Sequence, residues 1–214
     1  VSLLIMLAHL ALTRLTETGV EPARVVKAYR TIDSLLIDSL QGQAMDLELE
    51  SHRDVTIWES LKVSGMKSAS MVKCAAVLGA GLGTDDPEEL DLYGRFGWHF
   101  GMMLQLMNDV GAVWPKASGD NSDLRLRKKT LPLVYATSGA GGGDGRDRHM
   151  IQAYSESEET TSVDEGTLKW ALWRSGAIHY TWMVAAREKA KALRIARIFA
   201  RKGEHGRYLE TLLA

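Results

Sequence analysis

The sequence predicts an all-α protein, and three observations carry that expectation. Apolar residues recur at three- and four-residue steps along nearly the whole chain. No stretch sustains the period-2 alternation of a half-buried strand. Helix-start signals, such as Thr56 with Glu59 and Asp86 with Pro87, stand directly before these apolar runs. With 214 residues the chain suits a single domain, 1–214, and can bury a substantial core.

The elements follow in order. Val1 to Thr18 reads as a first helix, with Gly19 as its terminator, because glycine accepts the left-handed conformation that ends helices. Pro22 suits the first turn of a second helix reaching about Glu50. Thr56 and Glu59 match a capping box, opening a segment that runs through Lys67 to Gly83. Asp86, Pro87 and Glu89 start a further helix extending to about Asp109; the acidic cluster Asp85 to Glu89 is read as its cap. From Gly111 to Lys129 the chain is polar, contains Pro115 and Gly119, and is expected to be a loop. A short helix follows Pro132, then a glycine-rich connector from Ser138 to Gly145. That connector is read as a flexible surface link, since a phosphate loop needs a strand before it. Ser162 and Glu165 form a further capping box before a long helix from Gly166 to Arg201.

Composition narrows the function classes. The net charge is -1, from 26 basic and 27 acidic residues, which gives no reason to expect nucleic acid or an anionic membrane as partner. A single cysteine, Cys74, cannot form an internal disulfide and fits a reducing, cytoplasmic setting. The apolar opening run from Val1 to Leu12 is too short to span a bilayer and is interrupted by His9. It lacks the basic start and cleavage site of a signal peptide. The chain opens on Val1 with a helical pattern already under way, so it is expected to be a piece whose front end is missing.

Four constellations place polar groups on apolar helices. Gly94, Gly97, Gly101, Gln105, Asn108 and Ala112 share one face, with Asp109 beside Asn108. Glycine inside a helix costs up to about 1 kcal/mol, so three on one face predict close approach of a helix or ligand. Gln43, Asp46 and Glu50 form a stripe at i, i+3 and i+7. Lys67 and Ser68 lie among small and apolar residues, where they can donate to a phosphate. Finally Asp123 and the run Arg125, Arg127, Lys128, Lys129, Thr130 precede Leu131-Pro132, placed to fold over an anion near Asp109.

In this order the four segments resemble the trans-isoprenyl diphosphate synthase family. Gly42, Gln43, Asp46, Leu47 and Glu50 match its GQ-x-x-D-L-x-x-E stretch, and Lys67-Ser68 its Lys-Thr pair. Gly101, Gln105, Asn108 and Asp109 match part of its second aspartate-rich motif. Asp123 with Lys128, Thr130, Leu131 and Pro132 matches the following loop, and Gly176 to Thr181 looks like its late helix. The resemblance implies an isoprenoid-synthase-type helical bundle around a central cavity. It implies Mg²⁺ as cofactor and allylic and isopentenyl diphosphates as substrates, in a homodimer. Asp109 and Asn108 would bind metal. Lys67, Ser68 and Gln105 would be catalytic, while Gln43, Asp46, Lys128 and Lys116 would bind substrate.

The sequence also departs from the family pattern. Its second motif reads Asn108, Asp109, Val110, Gly111, Ala112, with one of three aspartates, and no first aspartate-rich motif is present. The fragment alone is therefore expected to be inactive. Ala112 and Lys116 stand where terpene cyclases carry a hydroxyl residue and a glutamate, which argues against that class. A noncatalytic partner subunit and a peptide-modifying prenyltransferase of the same fold are the alternatives.

Overall fold

The structure, a computed structural model, describes residues 2–114, 127–142, 144–156, 164–203 and 205–214, with backbone alone at 2–4 and 205. All regular structure among the described residues is helical. Helix α1 (Ser2–Thr13) ends earlier than its apolar pattern, giving way to a 3-10 turn, Arg14–Thr16. Gly19, at φ +82°, makes the predicted left-handed exit. Helix α2 (Pro22–Glu50) matches expectation, with proline in its first turn.

The next segment departs from a plain helix. Thr56 and Glu59 form the predicted reciprocal capping box at the start of α3 (Ile57–Ser64). The chain then widens into a π-turn, Gly65–Ala69, before α4 (Ser70–Gly81). Helix α5 (Pro87–Val113) starts at the predicted cap, where Asp86 accepts from the Glu88 N–H at 2.9 Å. It continues past Asp109 through Gly111, because Val110 and Val113 are buried and pull another turn into the core. The predicted loop residues 115–126, including Lys116, Asp123 and Arg125, lie outside the described residues.

Helix α6 (Leu131–Thr137) carries Pro132 in its first turn, and α7 (Gly145–Glu156) follows the glycine-rich connector. That connector is tied down rather than free-running: the Gly142 N–H donates to the Ser175 carbonyl at 2.9 Å. The predicted helix from Gly166 to Arg201 is two helices, α8 (Glu165–Arg174) and α9 (Ala177–Lys202). Gly176 sits between them at φ +82°, a conformation that ends a helix. Asp164 caps α8, its carboxylate accepting from the Thr167 N–H at 2.9 Å, so Glu165 is the first helical residue, not the third residue of a box. Ser162 lies outside the described residues. A last helix, α10 (His205–Thr211), folds back on α9.

Helix α5 is the axis. It packs against α4 on one side and α9 on the other. Gly97 and Gly101 allow the first contact: a Cβ at either would come within 2.7 Å of backbone atoms of Lys73, Val72 or Ala69. The second contact is apolar, with Phe96 against Ala192, Ala196 and Phe199. A third cluster joins Leu106 to Leu131 of α6 and Ala185 of α9.

One buried ionic cluster bridges α5 and α9. Glu188 accepts from Lys191 Nζ at 2.5 Å and sits 2.6 Å from His99 Nδ1. Burial pushes its carboxyl up, but the hydrogen bonds and charges of His99 and Lys191 prevail and hold it below its ordinary value of 4.5. A depressed folded-state value stabilises above the ordinary range and is lost as pH falls through the lowered one.

Two outcomes follow. Gly101→Ala gains about 1 kcal/mol of helix propensity but loses about 1–3 kcal/mol to overpacking, so its urea midpoint falls; an unchanged or higher midpoint would contradict the close crossing. Glu188→Gln is expected to destabilise the protein by about 1–3 kcal/mol at neutral pH. The gap from wild type then closes as pH drops below 4.5, as followed by denaturant titration at several pH values.

Candidate active site

Six of the predicted site residues line one small polar pocket of about 100 Å³: Asp46, Lys67, Ser68, Gln105, Asp109 and Lys128. They come from α2, the π-turn, α5 and the segment just before α6. Their proximity starts at Gly42, where α2 crosses the π-turn. A Cβ at Gly42 would lie 2.7 Å from Met66 Cβ and 3.0 Å from the Lys67 nitrogen. No larger residue allows that approach. One turn further along α2, Asp46 faces Lys67, and Lys67 Nζ donates to Asp46 Oδ2 at 2.5 Å.

A second chain of hydrogen bonds crosses to α5. The Ser68 hydroxyl donates to Gln105 Oε1 at 2.5 Å, and Gln105 Nε2 donates to Asp109 Oδ1 at 2.8 Å. The glycine face of α5 therefore leads into the pocket: Gly97 and Gly101 bring α4 close, and Gln105 then reaches Ser68. Asp109 is only 2% exposed. Burying a carboxylate in that way is tolerable only when it is paired. Both carboxylates of the pocket are thus held by a neighbour before any ligand arrives.

The far wall is the segment from Lys128 to Thr130. Arg127, directly before these lining residues, adopts φ 52°, unusual for a residue with a side chain. The Lys129 carbonyl accepts from Ser60 Oγ at 3.0 Å, fixing this segment to α3. The Lys129 ammonium donates to Ser155 Oγ at 2.9 Å, and burial pushes it below its ordinary value.

Not every predicted residue reaches the pocket. Gln43 and Asn108 are exposed and do not line it, although each shares a helix face with a residue that does. Lys116 lies outside the described residues. Conversely, Ser60 and Ser64 line the pocket without having been singled out. Their signal was available: Ser60, Ser64 and Ser68 recur at four-residue steps on the face that carries Lys67. The π-turn, which widens the helix just where Lys67 and Ser68 sit, has no clear sequence mark; such bulges are frequent at functional sites.

Among the described residues no group of three His, Cys, Asp or Glu side chains is placed to hold a metal ion. A second cavity of about 260 Å³, mostly apolar, lies toward the N-terminal end of α2, between Leu15, Thr31, Val77 and Leu90. At its rim Lys27 and Arg24 donate to Asp85 at 2.9 and 2.7 Å. Their hydrogen bonds and charges, Lys27 foremost, hold that carboxyl below its ordinary range. The acidic cluster thus does more than cap a helix, a pairing that local sequence could not reveal.

The all-helical bundle is the fold of the isoprenoid synthases. The chain belongs to the polyprenyl synthetase family, whose model matches residues 2–166. It is 36% identical over 145 residues to a (2E,6E)-farnesyl diphosphate synthase of Mycobacterium bovis, covering 64% of this chain and 39% of that protein. A geranylfarnesyl diphosphate synthase of Aeropyrum pernix is 30% identical over 166 residues, covering 74% of this chain and 52% of the relative. The crystal structure of a polyprenyl synthetase from Streptomyces coelicolor superposes with a TM-score of 0.79 at 27% identity, over 95% of this chain and 62% of the other. The chain therefore spans about two fifths to three fifths of the length of these proteins.

The crossing at Gly42 yields a direct test. Gly42→Ala is expected to cost about 1–3 kcal/mol through overpacking, read as a lower melting temperature. A cost below about 0.5 kcal/mol, the range of an ordinary surface change, would show that α2 and the π-turn do not approach so closely.

Proposed function

We propose that this chain forms part of a Mg²⁺-dependent trans-prenyltransferase that condenses isopentenyl diphosphate with an allylic diphosphate to give a longer polyprenyl diphosphate. The observation that carries the reading is the convergence of Asp46, Lys67, Ser68, Gln105, Asp109 and Lys128 on one pocket. In this reaction the carbon–oxygen bond to diphosphate breaks, the isopentenyl double bond attacks the allylic cation, and a proton is lost. The protein's task is to neutralise charge growing on the diphosphate and to keep water away from the cation.

In this reading Lys67 and Lys128 contact the diphosphate. Asp46 orients Lys67, while Ser68 and Gln105 line the reaction centre. Gln105 also fixes the Asp109 carboxylate in place. Mg²⁺ fits a sparse donor set of this kind, since it is commonly held by one or two carboxylates together with substrate phosphates and water. Asp109 would supply the direct ligand, with the exposed Asn108 beside it acting through water. When bound, the ion would offset negative charge on the leaving diphosphate. Gln43 and Lys116 are assigned to substrate binding on the resemblance alone. The reading extends to a cytoplasmic homodimer; no helix among the described residues is long and apolar enough to cross a membrane.

The reduced second motif favours one other reading, a noncatalytic subunit that steers an active homologue. The two separate in an assay of the protein expressed from its natural start codon, with Mg²⁺, isopentenyl diphosphate and allylic diphosphates of several lengths. Mass spectrometry is expected to find a longer prenyl diphosphate. Asp109→Ala and Lys67→Ala should each reduce its formation at least about a hundredfold. No product from folded protein would overturn the enzyme reading in favour of the steering subunit.

A further inference from the structure

We propose that the outer face of α9, with the tryptophan cluster at its N-terminal end, is a docking surface for an anionic lipid bilayer. The first observation is a segregation of charge. Glu188 is the only acid of α9, and it is buried against His99 and Lys191. The exposed side carries Arg187, Arg194 and Arg201 at seven-residue steps, with Arg197 among them. Two turns per step sets these arginines about 10 Å apart in a line along one face. Among the described residues Arg187, Arg194 and Arg201 make no ion pair, and Arg197 has a contact of 3.9 Å with Glu210. The opposite side, with Ala185, Ala192, Ala196 and Phe199, is buried in the core, so the strip is held rigidly outward.

The second observation is the aromatic end of that strip. Trp114, at the end of α5, meets Trp170 and Trp173 of α8 edge-on at 6.0 and 5.9 Å. Trp173 in turn meets His179 of α9 at 4.4 Å. The cluster is therefore continuous with the face bearing Met183 and the arginines. Trp170 is 57% exposed and Met183 60%. Exposed apolar groups gathered at one place mark an interaction surface more often than scattered ones.

The chemistry favours lipid over nucleic acid. Indole rings with a polar N–H settle at the headgroup level of bilayers, and guanidinium groups pair with phosphates bidentately. Each basic residue near an anionic leaflet contributes to binding, and such contributions add along a strip. Between the arginines the exposed positions include Ala190 and Ile198, not the amide and hydroxyl side chains that accompany arginine at nucleic-acid backbones. The net charge of -1 does not oppose this, because it averages a basic face with acidic ones. The buried inner side keeps α9 in the fold, so the contact is peripheral.

The test is co-sedimentation of the 214-residue chain with vesicles of phosphatidylcholine alone, or of phosphatidylcholine with phosphatidylglycerol. Binding is expected only to the anionic vesicles, weakening with added salt and accompanied by a blue shift of tryptophan emission. Arg187→Glu combined with Arg194→Glu should lower binding at least about tenfold. Arg187→Lys with Arg194→Lys should retain most of it, and circular dichroism confirms folding of both solvent-facing variants. Absence of binding by the folded chain would overturn the proposal, as would equal binding by the charge-reversed protein. Retention on duplex DNA or RNA without vesicle binding would overturn it in favour of a nucleic-acid surface.

Discussion

Close approach of helix backbones at glycine is the constraint on which the arrangement depends. Gly97 and Gly101 let α5 lie against α4, and Gly42 lets α2 lie against the π-turn that joins α3 to α4. Helices separated by ordinary side chains run about 8–10 Å apart, and polar groups of modest length would not meet across several of them. Serine and glutamine have short reach. The contact between Ser68 and Gln105 exists because the helices carrying them are drawn together one turn away. Each such glycine weakens its own helix slightly, and the packing it permits outweighs that loss.

Once the backbones are close, the polar groups must satisfy one another. Asp46 is held by Lys67, and Asp109 by Gln105, so neither carboxylate faces the pocket unsupported. The same logic governs Glu188, whose partners come from its own helix and from α5. These groups are pre-positioned by packing and hydrogen bonds. In a site proposed to meet a diphosphate, such pre-positioning lowers the reorganisation needed when charge develops. The π-turn contributes by re-aiming Lys67 and Ser68 without ending the helix around them.

The surface obeys a different rule. Inside the bundle, charge is paired locally. On the outer side of α9 arginines stand in a row, and among the described residues only Arg197 of them comes near an acid, Glu210 at 3.9 Å; the near-neutral total conceals this. Composition reports a sum, whereas a partner meets one face at a time.

Much of the fold was legible in the sequence because helices announce themselves locally. The three- and four-residue apolar period, Pro22, Asp86 with Pro87, and the Thr56–Glu59 box placed α2, α3 and α5 with their starts. The candidate site was legible as a set of polar residues on apolar faces, and six of them do share a pocket. The break at Gly176 and the extension of α5 to Val113 were not legible, because a glycine is tolerated in many helices and burial decides where one ends. Nor was the capping of α8 by Asp164 in place of a box from Ser162, since both residues are good caps and only the chain's path selects one. Local period and capping, which act within a turn or two, determined that these segments are helices and which residues stand out on them. Which of those residues meet was decided by tertiary structure alone, because the distance between Ser68 and Gln105 depends on how closely two backbones can pass.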